Sequence, residues 1–497
     1  MSRQLAGPMR DGERLTIDLP GAVRDVLERL ASAGFEAALV GGSVRDLVTG
    51  TTPLDWDVAS AGPPERVEAL FPGSSWENRF GTVTVRADGM QVEVTTYRHE
   101  GPYLDRRRPQ HVRWGSSLRD DLARRDFTVN ALAWQPVELA AGSGVLIDPY
   151  DGIGDLRRGV LRAVGEPAER FSEDALRMVR AVRFSTRLDL QLDASTATAI
   201  RERAASASAL SGERVRDELL RMLAAEPPSQ PPSAAVLLME RLGLLEVLLP
   251  ELSALRGVPQ AKALPGDALE HSARTADALP ADRPLLRLAG LLHDLGKATT
   301  LADGHFIGHE VEGAALAEGL LRRLRLPRAD AARIARLVRQ HMFAYTPEWT
   351  DAAVRRFVRR VGVDLLDDLF ALRAADNAAS GASEPAQGGL DELRRRVGIA
   401  VAEGVLQPAQ LAVDGRDLIA DLALPPGPLI GELLARLMEA VLDDPALNQR
   451  DRLVGLARRW QEAGGASEQQ HAADAGDDEA ADDGPAATIG GPGAVPT

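Results

Sequence analysis

The chain has 497 residues, 44% hydrophobic and 26% charged, which suits about three or four folded domains and excludes disorder throughout. It contains no cysteine, so disulfides, thiolate catalysis, iron–sulfur clusters and Cys-ligated zinc are excluded, and any metal must sit on His, Asp or Glu. The net charge of −15 argues against a nucleic-acid partner only until its distribution is read: eight acids and no Lys or Arg follow residue 460, leaving −7 on residues 1–460.

In chain order, residues 1–20 are polar, are expected to be flexible, and lack the apolar core of a secretion signal. No stretch reaches the ~18 uncharged apolar residues of a membrane helix, so a cytoplasmic protein with no membrane partner is expected. An amphipathic helix follows, with Val23, Val26, Leu27 and Leu30 on one face. Short β-branched runs at Ala37–Val40, Trp56–Ala59, Thr82–Arg86 and Gln91–Thr96 predict a small mixed sheet with helices, an α/β head over 21–158. Beyond it, Ala, Leu and Arg recur at helical spacing, broken by Pro/Ser-rich joints at Pro227–Ser233 and Ser380–Gly389. That pattern predicts an elongated all-α body in three parts, 159–260, 261–380 and 381–463. A Gly/Ala/Asp/Pro-rich acidic tail over 464–497 reads as disordered.

Three features of the head carry chemistry. An apolar strand leads into Gly41-Gly42 and a helix start, a turn whose bare N–H groups can cradle a triphosphate or simply connect strand to helix. Asp55 and Asp57 alternate along a strand and so project to one side. Two carboxylates side by side repel, and bridging Mg²⁺ ions, as in phosphoryl or nucleotidyl transfer, offset that repulsion; a polar strand edge or a turn is the plainer reading. Glu93 lies among Val92, Val94 and Thr95, where it is either a third carboxylate at the metal or part of a strand's solvent face.

The turn Gly41-Gly42-Ser43-Val44-Arg45-Asp46, the Asp55/Asp57 pair and Arg124-Arg125-Asp126-Phe127-Thr128-Val129-Asn130 together resemble the bacterial-type (class II) tRNA nucleotidyltransferase and poly(A) polymerase family. Asp148–Leu156, Glu173-Asp174-Ala175-Leu176-Arg177 and Glu213–Glu218 match further segments of it, in order. The resemblance implies a polymerase-beta-like head, with Asp55, Asp57 and Glu93 catalytic. It implies that Gly41, Gly42, Arg45, Arg124, Arg125, Asp126, Asn130 and Arg180 hold the nucleotide, Arg being suited to bidentate phosphate contact. It also assigns base reading to Asp174 and Arg177. Three apart on a helix, these two would share a face. One acceptor and one donor satisfy the amine and ring nitrogen that cytosine and adenine share; uracil and guanine present the reverse, at about 1–3 kcal/mol per mismatch. An ordinary surface ion pair is the alternative for Asp-x-x-Arg. Between the last head strand and Arg124, the polar stretch Tyr97–Pro109 is expected to be a mobile loop, and the resemblance links such a loop to complete CCA synthesis.

A second constellation lies downstream. Five of the eight histidines fall between 271 and 341. His271, His293-Asp294, His309 and His341, with Asp376 beyond, are spaced as single ligands on successive helices. Imidazoles with carboxylates suit Mn²⁺, Fe²⁺, Ni²⁺ or Zn²⁺. The order His, His-Asp, Asp resembles the HD phosphohydrolase superfamily, with His309 and His341 matching the extra ligands of two-metal members. Lys297, one of only two lysines, is a candidate phosphate contact or an exposed helix-cap lysine; His305 has no role beyond a surface loop. A degenerate domain kept for its structure is the alternative for the whole set.

The sequence therefore points to a CCA-adding tRNA nucleotidyltransferase using CTP and ATP. Magnesium is expected in the head and a transition metal at the HD site, with phosphohydrolase activity on 2′,3′-cyclic or 2′-phosphates. A poly(A) polymerase, an enzyme restricted to CC or A addition, and an HD phosphohydrolase whose head only binds RNA are the rival readings. The acidic tail counts against the polymerase, whose tail is basic in the family. Residues 159–260 are expected to grip tRNA by backbone and shape. Residues 385–460 either extend that grip or stabilise a dimer, so monomer and dimer both remain compatible.

Overall fold

The structure is a computed structural model that describes residues 9–76, 81–100, 112–114, 117–224, 229–260, 262–381, 384–403 and 408–474. Its head strands are β1 (Arg14–Thr16), β2 (Ala37–Val40), β3 (Trp56–Ser60), β4 (Ser75–Trp76), β5 (Thr82–Ala87), β6 (Met90–Thr96), β7 (Arg98–Glu100), β8 (Val112–Trp114), β9 (Ala133–Glu138) and β10 (Ser143–Ile147). Eight of them form one sheet in the order β1-β10-β9-β2-β3-β6-β5-β4, and β7 pairs with β8 apart from it. β3 and β6 run parallel, while the other neighbours in that sheet are antiparallel.

Strand alternation sorts the side chains. Leu39, Trp56, Val58, Val92 and Val94 enter the larger core, which the helix Gly21–Ser32 covers with Val23, Val26, Leu27 and Leu30. Ala38, Val40 and Ala59 belong to a smaller core on the opposite face, with Tyr97 and Leu122. Asp57 and Glu93 have the parity of that second face. Residues 101–109 of the expected mobile loop lie outside the described residues; Tyr97, at its start, is buried.

The flexible N-terminus expected over 1–20 is corrected from residue 9 onward. β1 pairs with β10, and Met9, Ile17 and Leu19 are buried in the head core. A strand of three residues carries no periodic signal, and its partner lies some 130 residues downstream.

Beyond the helix Gly152–Arg158 the regular elements among the described residues are all helices apart from a short parallel pair, Val160–Leu161 with Gln191–Leu192. It divides into two compact units, residues 1–343 with 367–384, and residues 344–366 with 385–497. The first therefore takes back the helix Leu366–Ser380, which returns Asp376 to the histidines. In the second, the helix Asp351–Val361 packs on Pro428–Asp443, with Val354, Phe357, Leu437 and Val441 buried. The expected joint at 380–389 is shorter than predicted, because the helix Glu384–Glu403 begins inside it. The helix Arg450–Asp474 likewise runs past residue 464, where the tail was expected to begin; 475–497 lie outside the described residues. Among the described residues no helix is long and apolar enough to cross a membrane.

Candidate functional site

Asp57 and Glu93 are direct cross-strand partners in the β3–β6 ladder. Asp55 stands one residue ahead of β3, in register to face the same way. All three line one cavity of about 680 Å³. Both readings of Glu93 prove compatible, since the solvent-facing side of β6 is itself the cavity wall. Burial pushes the Asp57 carboxyl up to about 6, and the nearby charges of Glu93 and Asp55 add to this against the opposing Arg125. A desolvated carboxylate beside two more is a set of hard oxygen donors that fits Mg²⁺. The three oxygens are not drawn into a ready-made cage: among the described residues, triads of ligand atoms within 4.8 Å occur only in the HD region.

The facing wall is a hydrogen-bonded array. Arg45 donates to Asn130 Oδ1 at 2.6 Å, Asn130 to Asp126 Oδ1 at 3.2 Å, and Arg180 to Asp126 Oδ2 at 2.8 Å. Although burial raises Asp126, Arg180 and the Asn130 amide outweigh it and hold the carboxyl below its ordinary value. Arg124 and Arg125 both pair with the fully buried Asp121, and the buried Arg125 Nε finds no hydrogen-bond partner among the described residues. Asp121 was missed from sequence, though its i,i+3 and i,i+4 spacing to these arginines is a readable signal. Gly41 adopts φ +73°, which favours glycine, and a Cβ there would stand 2.6 Å from Arg125 Nη1 and push that guanidinium aside.

Asp174 and Arg177 line the same cavity, but not as one helical face. The helix Pro167–Glu173 ends at Asp174, which is extended (φ −147°, ψ 106°), and its Oδ1 accepts the Leu176 N–H at 3.0 Å at the start of Leu176–Leu188. This corrects the single-helix reading: an Asp side chain that bonds backbone two residues on competes with the helix and breaks it. Its guanidinium partner is Arg214, with contacts of 3.1 and 2.6 Å. Arg177 instead binds Glu173 and the carbonyls of Arg170 and Arg124. Arg180, Phe184 and Arg187 continue the cavity wall along the second helix, with Arg183 4.2 Å over the Phe184 ring.

The downstream ligands also converge. His271 Nε2 lies 3.1 Å from Asp376 Oδ1 and 3.3 Å from His293 Nε2. Asp294 sits between two groups. Its Oδ2 is 3.3 Å from His293 Nε2, and its Oδ1 is 3.5 and 3.7 Å from His309 and His341 Nε2. Backbone carbonyls at 2.6–2.7 Å tether Nδ1 of His293, His309 and His341, leaving each Nε2 as the acceptor a metal needs. Burial holds His341 down to about 3, and His271 is likewise lowered, mainly by burial, so both remain neutral. Asp294 stays ionised, because His293, His309 and Lys297 outweigh its burial. Four imidazoles with two carboxylates, Asp294 facing both groups and Asp376 one, fit a transition metal. Lys297 is buried rather than an exposed cap, 2.6 Å from Asp294 Oδ2 and 3.1 Å from Gln260 Oε1. Lys262, missed from sequence, also reaches this cluster. His305 is exposed and bridges Ala302 across a tight turn.

Residues 37–162 match the Poly A polymerase head domain, 189–255 the family described as a probable RNA and SrmB-binding site of polymerase A, and 267–380 the HD domain. The A-adding tRNA nucleotidyltransferase of Deinococcus radiodurans is 37% identical over 452 residues, covering 86% of this chain and 96% of that protein. The chain belongs to the tRNA nucleotidyltransferase family. A CCA-adding enzyme of Leuconostoc mesenteroides is 45% identical to this nucleotidyltransferase over 206 residues, 41% of this chain and 50% of its own length. Among solved structures, the Bacillus stearothermophilus CCA-adding enzyme in complex with CTP aligns at a TM-score of 0.66 and 28% identity, over 90% of this chain and 98% of its own. The nucleotidyltransferase segment that carries Asp174 and Arg177 falls between the first two family matches.

Proposed function

We propose that this nucleotidyltransferase adds C, C and A, from CTP and ATP, to the 3′ end of tRNA without a template, acting in the cytoplasm. The observation that carries the reading is that the carboxylates and the base-reading pair line one cavity. The tRNA 3′-hydroxyl oxygen attacks the α-phosphorus, the bond to the bridging oxygen breaks, and pyrophosphate leaves. Asp55 and Asp57, with Glu93 beside them, would hold the Mg²⁺ that polarises the attacking hydroxyl and neutralises the leaving group. Gly41 and Gly42 let the chain approach the phosphates closely. Arg45, Arg124, Arg125 and Arg180 meet the phosphates, and Asp126 and Asn130 fix the sugar end and orient those arginines. Asp174 accepts from the exocyclic amine and Arg177 donates to the ring nitrogen, the pattern that C and A share. The Deinococcus relative is named for A addition alone and the Leuconostoc one for CCA, so the complete activity is what the assay must decide.

The assay uses Mg²⁺ and three RNAs: tRNA ending at the discriminator base, tRNA ending in C-C, and an unrelated oligomer. CTP-dependent extension by C-C and then one A supports the proposal. Extension of the C-C end alone makes it an A-adding enzyme, and long A tracts on the oligomer make it a poly(A) polymerase. Unimpaired incorporation by Asp55→Ala would refute the carboxylate assignment.

A second reading is favoured by the complete HD ligand set: hydrolysis of 2′,3′-cyclic or 2′-phosphates with Mn²⁺, Fe²⁺, Ni²⁺ or Zn²⁺, with Lys297 meeting the phosphate. Opening of a 2′,3′-cyclic phosphate to a monoester, or release of phosphate from a 2′-phosphate, by metal-loaded protein and lost in His293→Ala supports it; neither reaction under any of the four metals sinks it.

A further inference from the structure

Only two of the chain's 58 basic side chains are lysines, and both end at the HD ligands. Lys297 neutralises Asp294. Lys262 does something different. Its Nζ lies 2.7 Å from His271 Nε2 and 3.1 Å from Asp376 Oδ1, and these are two of the three ligand atoms of the triad His271, His293 and Asp376. A chain that otherwise uses arginine keeps here the compact ammonium that fits between an imidazole and a carboxylate, where a planar guanidinium fork would not.

A neutral imidazole has one ring lone pair to give. His271 Nε2 can accept a hydrogen bond from the ammonium or bind a metal, but not both. A divalent ion on this triad would stand about 2.0–2.2 Å from the same nitrogen and the same carboxylate oxygen, inside the space the ammonium fills. We infer that Lys262 and a divalent metal are alternative partners of His271 and Asp376, so that metal binding expels the Lys262 ammonium. The side chain has a way out, being 21% exposed, and it belongs to the segment just ahead of the helix Ala268–Asp277, not to a packed helix. Occupancy of the triad is thereby tied to the position of that segment. The inference rests on the metal reading of the HD ligands and not on any hydrolytic activity.

Because the chain has two lysines, full-length protein carrying ¹³Cε-lysine gives two side-chain signals, assigned with Lys262→Arg. Diamagnetic Zn²⁺ is added while equilibrium dialysis counts bound ions. With one equivalent bound, the Lys262 signal is expected to move to the position and sharpness of a free lysine. In parallel, Lys262→Met is expected to bind Zn²⁺ at least about tenfold more tightly than wild type, since nothing must be displaced. A Lys262 signal unmoved with Zn²⁺ bound, or wild-type or weaker affinity in Lys262→Met, overturns the inference. Failure of wild type to bind Zn²⁺ at all would overturn the metal reading itself, and dialysis detects that separately.

Discussion

Replacing Arg214 with Ala tests the proposed base-reading role of Asp174, the carboxylate that Arg214 holds in place. Arg214 grips Asp174 with two charge-assisted contacts, and the two side chains are only 28% and 20% exposed. Hydrogen bonds between charged groups contribute about 1.5–3 kcal/mol, and partial exposure brings the expected loss to the lower part of that range, about 1.5–2 kcal/mol. At about 1.4 kcal/mol per decade this is roughly a ten- to thirty-fold loss. It should appear in kcat/KM for CTP and for ATP alike, and as a comparable fall in discrimination against UTP. Arg214→Lys, which keeps the charge and loses the fork, should recover only part of it. The assay is single-nucleotide incorporation on tRNA ending at the discriminator base with CTP or UTP, and on tRNA-C-C with ATP. Unchanged selectivity and unchanged kcat/KM in Arg214→Ala, in protein with a native melting profile, would refute the reasoning.

Asp57 is raised to about 6 in the folded protein from about 3.8, so its neutral form is favoured by folding. The stability this gives is present below about pH 4 and is lost as pH rises through about 6. Asp57→Asn should therefore melt higher than wild type at pH 8, by about 2–3 kcal/mol of stability, and no higher at pH 4; equal melting at pH 8 would contradict it. Gly41→Ala should cost about 1–2 kcal/mol through its left-handed backbone and raise KM for nucleotides by displacing Arg125, read by melting and by steady-state incorporation. Asp294→Asn should lower metal bound at the HD ligands at least about tenfold while nucleotide addition stays within about twofold, measured by elemental analysis beside the incorporation assay.

Much of the head was legible because its chemistry lies on regular strands. Alternation places Asp55 and Asp57 on one side of a strand, whereas Glu93 joins them only through the parallel pairing of β3 with β6, which no residue pattern announces. What stayed hidden was set by distant chain. The Asp174 break has no Pro or Gly to announce it, and the Arg214 that holds Asp174 arrives from 40 residues downstream. The three residues of β1 needed a partner from the far side of the head. The histidines were legible as a set, but their division into two groups depends on Asp294 turning one oxygen to each. Lys262 follows no motif spacing; its rarity beside so many arginines was the available signal.

The pairing of β3 with β6 has a consequence for how this protein tolerates change in length. Asp57 faces Glu93 because a ladder of backbone hydrogen bonds sets their register, whatever side chains lie between. Insertions or deletions in the turns joining these strands leave the two carboxylates opposite one another. A single residue gained or lost within either strand turns its carboxylate through the sheet into the apolar core beneath Val58 and Val94. Length variation among related chains should therefore gather in the connections around residues 61–63, 71–74 and 88–89 and be absent from the strands themselves.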